Sequence, residues 1–263
     1  MQIVTLTTDF GTRDWFVGTM KGVVLGINPH ANVVDLTHEI PPGDIRAGAF
    51  ALMAGCRYFP KGTVHVAVVD PGVGGPRRAI AVWTADYTFV GPDNGVLSWA
   101  LARESIKTVR RIENTKYFLE PVSRTFHGRD IFAPVGAHLS RGLAIQRLGH
   151  KVQDCIRLPW PRPTRSRGRI RGEIIYIDRF GNAITNIEFK SSSNDHAVIC
   201  EVGGRRKTRC RLADFYDAVP VNSPVAVIGS NGFLEIAVNG ASAAQKCGFK
   251  IGDAVVVHCN LDQ

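Results

Sequence analysis

Short runs rich in valine and threonine alternate with helical stretches through the first 160 or so residues, and then the alternation stops. The runs VVDLT (33–37), TVHVAVV (63–69) and YTFVG (87–91) have the composition of buried strands. Between them lie helical stretches over 14–27 and 44–58. Each opens with an aspartate suited to an N-cap, at Asp14 and Asp44. Asn28-Pro29 follows the first and Pro60 the second, as helix stops should. Such alternation predicts an α/β domain with a mostly parallel central sheet. The opening MQIVTLTTDFG reads as its first strand and lacks the basic and apolar regions of a signal peptide.

Downstream of about Arg169, strand-like runs are separated by Gly, Asn and Pro turns: GEIIYID, HAVICEV, PVAVIG, LEIAV and DAVVVH. They predict a smaller, β-barrel-like C-terminal domain. The expected boundaries are 1–160 for the α/β domain, 161–168 for a basic linker and 169–263 for the β domain. With 44% hydrophobic residues the chain can bury a core in each. No apolar run nears the ~18 residues that span a bilayer. The six cysteines form no CxxC pair and carry no zinc-finger spacing, so reduced thiols in a cytoplasm are expected, mostly as small core residues.

The net charge of +9 raises a nucleic-acid reading. Part of it is local: arginines at 165, 167, 169 and 171 would share one face of an extended segment. No interleaved aromatic or nucleic-acid motif accompanies them. A solvated basic linker and edge strand fits these residues better, with an RNA-binding module as the alternative.

In an open α/β sheet, ligands collect beyond the carboxyl ends of the strands. Polar residues crowd those positions. TTDFGTRD carries Asp9 and Asp14, DLTHEIPPGD carries His38, and VGPDNG carries Asp93 and Asn94. RTFHGRDIFAP places His127, Arg129 and Asp130 before a helical pattern. Asp14 and Asp130 fit N-caps better than catalysts. His38 suits hydrogen-bonded support, whereas His127 is the natural proton handler near neutral pH.

The stretch VVDPGVGGPRR, 68–78, puts a carboxylate, a glycine turn and two arginines after a buried strand. As a phosphate cradle it lacks the GK[ST] ending of a P-loop and the last glycine of GxGxxG, and Pro76 removes a donor. Two readings stay open: a structural Asp70–Arg salt bridge, or a catalytic carboxylate and guanidinium that orient a small reactant.

VVDPGVGxxRR, TDFGxxDxxVGxxKG, GPDNG, TFHGRDIFAP and DxFGNxxTNI occur here in fixed order, and GSNGFLEIAVNGASAA follows. Together they resemble the S-adenosyl-L-methionine (SAM) hydrolases, the SAM hydroxide adenosyltransferase branch of the fluorinase/chlorinase superfamily, over nearly the whole chain. The resemblance implies an N-terminal α/β domain with a C-terminal β-barrel. It implies a homotrimer with sites between subunits, and hydrolysis of SAM to adenosine and L-methionine with no metal and no cofactor.

Carried over by motif, the water-activating triad falls on Asp70, Arg77 and His127, with Arg78 the poorer partner. The ribose-diol carboxylate matches Asp9. Residues holding the methionine moiety match Asp178, Asn182 and Ser230, and adenine lies along the stretch from Asn231 through Val238 to Gly240. Halide-using relatives build a halide pocket from Tyr, Thr and Ser. This chain has Asp70, Val73, His127 and Gly128 there, which favours hydroxide over a halogenase activity. Ile184 replaces a Trp of the halogenases, and Asn231 and Val238 replace Arg, so the grip on substrate differs in detail. In the expected chemistry Asp70 and His127 position and deprotonate the water, and Arg77 fixes Asp70.

Overall fold

The computed structural model describes residues 2–166, 168–188, 199–203 and 208–258. The chain divides into two compact units, Met1–Pro159 and Trp160–Gln263.

The N-terminal unit runs β1 (Ile3–Thr8), α1 (Phe16–Ile27), β2 (Asn32–Thr37), α2 (Ile45–Cys56), β3 (Val64–Val68), β4 (Ala79–Thr84), β5 (Thr88–Pro92), α3 (Ser98–Leu101), β6 (Ile106–Arg111), α4 (Ala133–Ser140) and β7 (Lys151–Val152). Its strands form one sheet in the order β2-β1-β3-β5-β4-β6-β7. The sheet is mixed. β2, β1, β3 and β5 are mutually parallel, while β4, β6 and β7 add antiparallel ladders. The antiparallel half starts at a tight turn. Thr84 Oγ1 accepts from the Asp86 and Tyr87 amides, and a link that short can join only antiparallel strands.

Every residue of β1 and β3 is buried, as strands covered on both faces require. Val4, Leu6, Val64, Val66 and Val68 pack with Met20 and Val24 of α1 and with Phe132, Val135 and Ala137 in and beside α4. α2 approaches elsewhere, its Gly48 close against Val69. Asp44 caps α2 as expected, its carboxylate accepting from the Ala47 amide at 2.9 Å. Asp14 does not cap α1: Trp15 holds the N-cap position, and no side chain caps that helix. The apolar positions Val17, Met20 and Val24 form its buried face, so packing fixes α1 without the cap.

The C-terminal unit contains β8 (Thr164–Ser166), β9 (Arg169–Ile177), β10 (Ala183–Glu188), β11 (Ile199–Val202), β12 (Thr208–Arg211), β13 (Pro224–Ile228), β14 (Phe233–Val238), α5 (Ala243–Cys247) and β15 (Ala254–His258). Its sheet runs β12-β11-β15-β9-β10-β14-β13 with β8 added against β9, and every strand pair in it is antiparallel. A bridge between Leu212 and Ala226 links the two outer ends, so the sheet nearly closes into a barrel. Ile174, Ile187, Leu234, Ile236, Val255 and Val257 fill its interior.

The arginine-rich segment departs from the extended reading. β8 folds back on β9, pairing Thr164 with Arg171 and Ser166 with Arg169. A side chain alternates faces along a strand, so Arg165, opposite Ile170, lies on the other face from Arg169 and Arg171. Arg167 lies outside the described residues. Among the described residues Cys56, Cys155, Cys200, Cys210 and Cys247 are free thiols; Cys56, Cys200 and Cys210 are buried. Cys259 lies outside them. No described helix is long and apolar enough to cross a membrane.

Candidate active site

The parallel half of the N-terminal sheet delivers Asp9 and Asp70 from the carboxyl ends of neighbouring strands β1 and β3, where ligands gather in such sheets. His127 arrives from the segment that leads into α4. The three line one cavity of about 360 Å³, with Phe10, Phe16 and Phe126 among its walls. The phenyl rings pack edge-on or tilted, with centroids 5.2–5.9 Å apart. They give the cavity an apolar wall beside its charged groups.

Arg77 sits against this cavity and joins its acidic and basic members. Its Nε donates to both oxygens of Asp70 at 3.0 Å, and its Nη2 also donates to Oδ2. The same Nη2 lies 2.7 Å from His127 Nδ1. The pair is nearly dry, with Asp70 5% and Arg77 12% exposed. A guanidinium has only donors, so His127 Nδ1 accepts and its ring proton is on Nε2. Burial, and then the charge of Arg77, push the His127 pKa below its usual value. Neutral His127 thus carries its N–H on Nε2, with the Ser123 carbonyl as one acceptor within its reach. The expectation that it takes a proton from water meets an obstacle here, because the only basic nitrogen is occupied by Arg77.

The glycine turn makes this approach possible. Gly74 has φ +76, and a Cβ there would stand 2.2 Å from the Arg124 carbonyl oxygen. The turn therefore packs backbone to backbone against the chain that carries His127. Arg78 points to a different task. It pairs with buried Asp93 at 2.6 Å, and Asp93 also accepts from the Ile156 amide at 2.7 Å. Asn94 donates to the Val69 carbonyl at 2.8 Å, pinning the chain one residue before Asp70.

Asp9 accepts from the Gly43 amide at 2.8 Å through Oδ2 and lines the cavity. His38 is buried support. Its Nδ1 meets Thr8 Oγ1 at 2.8 Å, and its Nε2 lies 2.9 Å from Asp35. Asp130 is not an N-cap. It is fully buried within a π-helical turn, Gly128–Phe132, where it pairs with Arg129 at 2.6 Å and accepts from the Ser123 amide at 2.8 Å. That carboxylate ties down the loop before His127.

The C-terminal unit has a larger cavity of about 940 Å³. Asp178, Asn182, Ser230, Asn231, Val238 and Gly240 all line it. Asp178 is engaged in its own turn. Oδ1 accepts from the Phe180 and Asn182 amides at 2.9 and 2.8 Å, and Oδ2 from Asn182 Nδ2 at 3.0 Å. Phe180, Phe215, Tyr216 and Glu235 also line this cavity and were not singled out by sequence. Phe180 and Glu235 sit inside quoted motifs, yet only the fold shows that they face a cavity. Among the described residues no group of three His, Cys, Asp or Glu side chains is arranged to hold a metal ion.

Comparison with known proteins gives this geometry its relatives. Residues 4–149 match the SAM hydroxide adenosyltransferase N-terminal domain, and residues 172–256 the C-terminal domain of the same family. A protein of Thermus thermophilus named (R)-S-adenosyl-L-methionine hydrolase is 41% identical over 261 residues, covering 96% of this chain and 98% of its own. A Fluorinase of Actinoplanes sp. is more distant, at 29% identity with 97% of each chain covered. The crystal structure of an uncharacterized conserved protein from Thermotoga maritima superposes with a TM-score of 0.91 at 38% identity, covering 98% of this chain and all of that one. Both halves match one family in sequence, and nearly the whole chain overlays a solved fold: the chain belongs to the SAM hydroxide adenosyltransferase family.

Proposed function

We propose that this protein hydrolyses SAM to adenosine and L-methionine by attack of water at the ribose C5′. The carrying observation is the Asp70–Arg77–His127 cluster beside a small cavity, in a chain 41% identical to a relative named for that hydrolysis. That name also specifies the (R) epimer at sulfur, which is the form we expect this protein to prefer.

The reaction asks for a nucleophile and for positioning. The C5′–S bond breaks with its electron pair going to sulfur, so the leaving group is a neutral thioether and needs no acid. The water oxygen bonds to C5′, and one proton is released. Asp70 is the acceptor of that proton on its way to solvent. Arg77 holds Asp70 in place, stays charged at any working pH and favours developing hydroxide. Neutral His127 donates from Nε2 and orients a lone pair of the water. Holding water and C5′ in a near-attack geometry supplies roughly 7–11 kcal/mol. Asp9 is the ribose-diol partner, and the C-terminal cavity takes the rest of the substrate. The family resemblance supports a homotrimer in which neighbouring copies complete each site, acting in the cytoplasm. Light scattering on the eluted protein should give the mass of three chains.

Separation of the nucleosides after incubation with each epimer of SAM, with and without chloride and EDTA, tests the reading. Adenosine and methionine are expected, unaffected by EDTA. A 5′-chloronucleoside would shift the assignment to a halogenase. No turnover of either epimer by folded protein would overturn it.

A further inference from the structure

A chain of net charge +9 places three carboxylates, Asp178, Asp214 and Glu235, around its C-terminal cavity and, among the described residues, no lysine or arginine. The lining is thus opposite in sign to the protein as a whole, which suits a cationic ligand. The three carboxylates are not equivalent. Both oxygens of Asp178 already accept from the Phe180 and Asn182 groups of its own turn, which offsets part of its charge. Asp214 is exposed to solvent, which weakens any charge it offers.

Glu235 is different. It is only 7% exposed, on β14 between Ile184 of β10 and Val227 of β13. Its Oε2 accepts from the Tyr216 hydroxyl at 2.8 Å. Its Oε1 has no hydrogen-bond partner among the described residues. That oxygen lies so close to the Gly229 backbone that a Cβ there would stand 1.8 Å from it. A glycine is required at 229 for the carboxylate to reach the cavity wall beside Ser230. Burial, with Asp178 nearby, raises the Glu235 pKa, and Glu235 in turn helps push the Tyr216 phenol up to about 12. A buried carboxylate with a single neutral donor lacks a positive partner.

We propose that Glu235 is a specificity-determining residue that reads the primary ammonium at the amino-acid end of the substrate, with Tyr216 as the positioning residue that holds it. The inference rests on the SAM reading above. An ammonium brings both of the things Glu235 lacks, a positive charge and N–H donors for Oε1. A sulfonium has charge without donors, and an adenine amino group has donors without charge. Asp178, by contrast, shapes the turn and supplies background negative potential.

The test uses two ligands that do not turn over: S-adenosyl-L-homocysteine, whose sulfur is no activated leaving group, and its des-amino analogue. Calorimetric titration of the full chain should show the amino compound bound roughly 10-fold or more tighter, the scale of one charged hydrogen bond. In Glu235→Gln the two should bind within about twofold, and in Tyr216→Phe the preference should shrink. Glu235→Gln that keeps the wild-type ratio, or a wild-type protein with no preference, overturns the proposal. Should Glu235→Gln fail to fold, an undiminished preference in Tyr216→Phe overturns the arrangement in its place. Adenosine release from SAM is scored separately. Its absence refutes the hydrolase, while the binding ratio still reads Glu235.

Discussion

Replacing Asp70 by asparagine keeps its shape and removes its charge. In the native protein the carboxylate takes hydrogen bonds from Arg77 Nε at 3.0 Å and from Nη2, and the two side chains are 5% and 12% exposed. Removing one partner of a buried pair costs about 3–5 kcal/mol, because the other charge is left behind. Asparagine still offers one oxygen to the guanidinium, and Arg77 keeps His127 at 2.7 Å and the Phe132 ring at 5.4 Å. The low end, about 3 kcal/mol, is therefore expected. In a unit of this size that lowers the melting temperature by roughly 6–12 °C. Turnover should fall further, by about 10²–10⁴, because the proton acceptor is gone. Differential scanning fluorimetry and a timed adenosine assay, both well below the lowered melting temperature, separate the two effects. Adenosine release within about threefold of wild type would refute the assignment of Asp70, whatever the melting curve shows.

His127→Gln keeps a neutral donor near the position of Nε2. It should cost about tenfold in turnover, whereas a loss of 10²–10⁴ would mark His127 as the base. Gly74→Ala forces a side chain into the Arg124 carbonyl at positive φ, so both melting temperature and adenosine release should drop; an unaltered rate would deny the turn its part in placing Arg77. His65 is buried on β3, hydrogen-bonded through Nδ1 to Thr5 at 2.7 Å and ringed by Phe59, Tyr87 and Phe89, and burial pushes its pKa down to about 4. The unfolded chain takes up this proton below about pH 6.5 and the native one does not, so stability is lost as pH falls from there toward 4, by about 3 kcal/mol in all. Urea midpoints at pH 7 and 4.5 measure it; a His65→Gln protein with the same pH slope as wild type would show that other groups cause the loss.

The parallel half of the N-terminal fold was legible because β1 and β3 are buried on both faces and read as apolar runs, and because Asp44 and the prolines punctuate α2; β2, read from VVDLT as a buried strand, is instead the edge of the sheet and has no fully buried residue. The antiparallel half was not. β4, AIAVWT, lies directly after the glycine turn, and only the Thr84 hydrogen bonds reveal that the chain reverses there. The aspartates divide in the same way. Asp44 acts on a backbone amide three residues on, a local event that spacing can predict. Asp130 is bonded to a loop seven residues earlier, and no local rule separates it from a cap. Arg165 and Arg169 looked collinear until the pairing of β8 with β9 showed a hairpin. Long motifs named the candidate site residues, but which of their atoms are free was not legible. Arg77's hold on His127 Nδ1, the self-sufficient turn at Asp178 and the open oxygen of Glu235 are all products of tertiary packing.

The contacts that set the site span long loops of chain. Asp9 is steadied by an amide 34 residues away, and Arg77 reaches a histidine 50 residues away. Only the Asp70–Arg77 pair closes within one short turn, its members seven residues apart. The long contacts close late, after the entropy of the intervening chain has been given up. Catalytic competence is therefore a reporter of the whole sheet: in refolding from denaturant, adenosine release should return with the slowest phase of structure formation and never ahead of it.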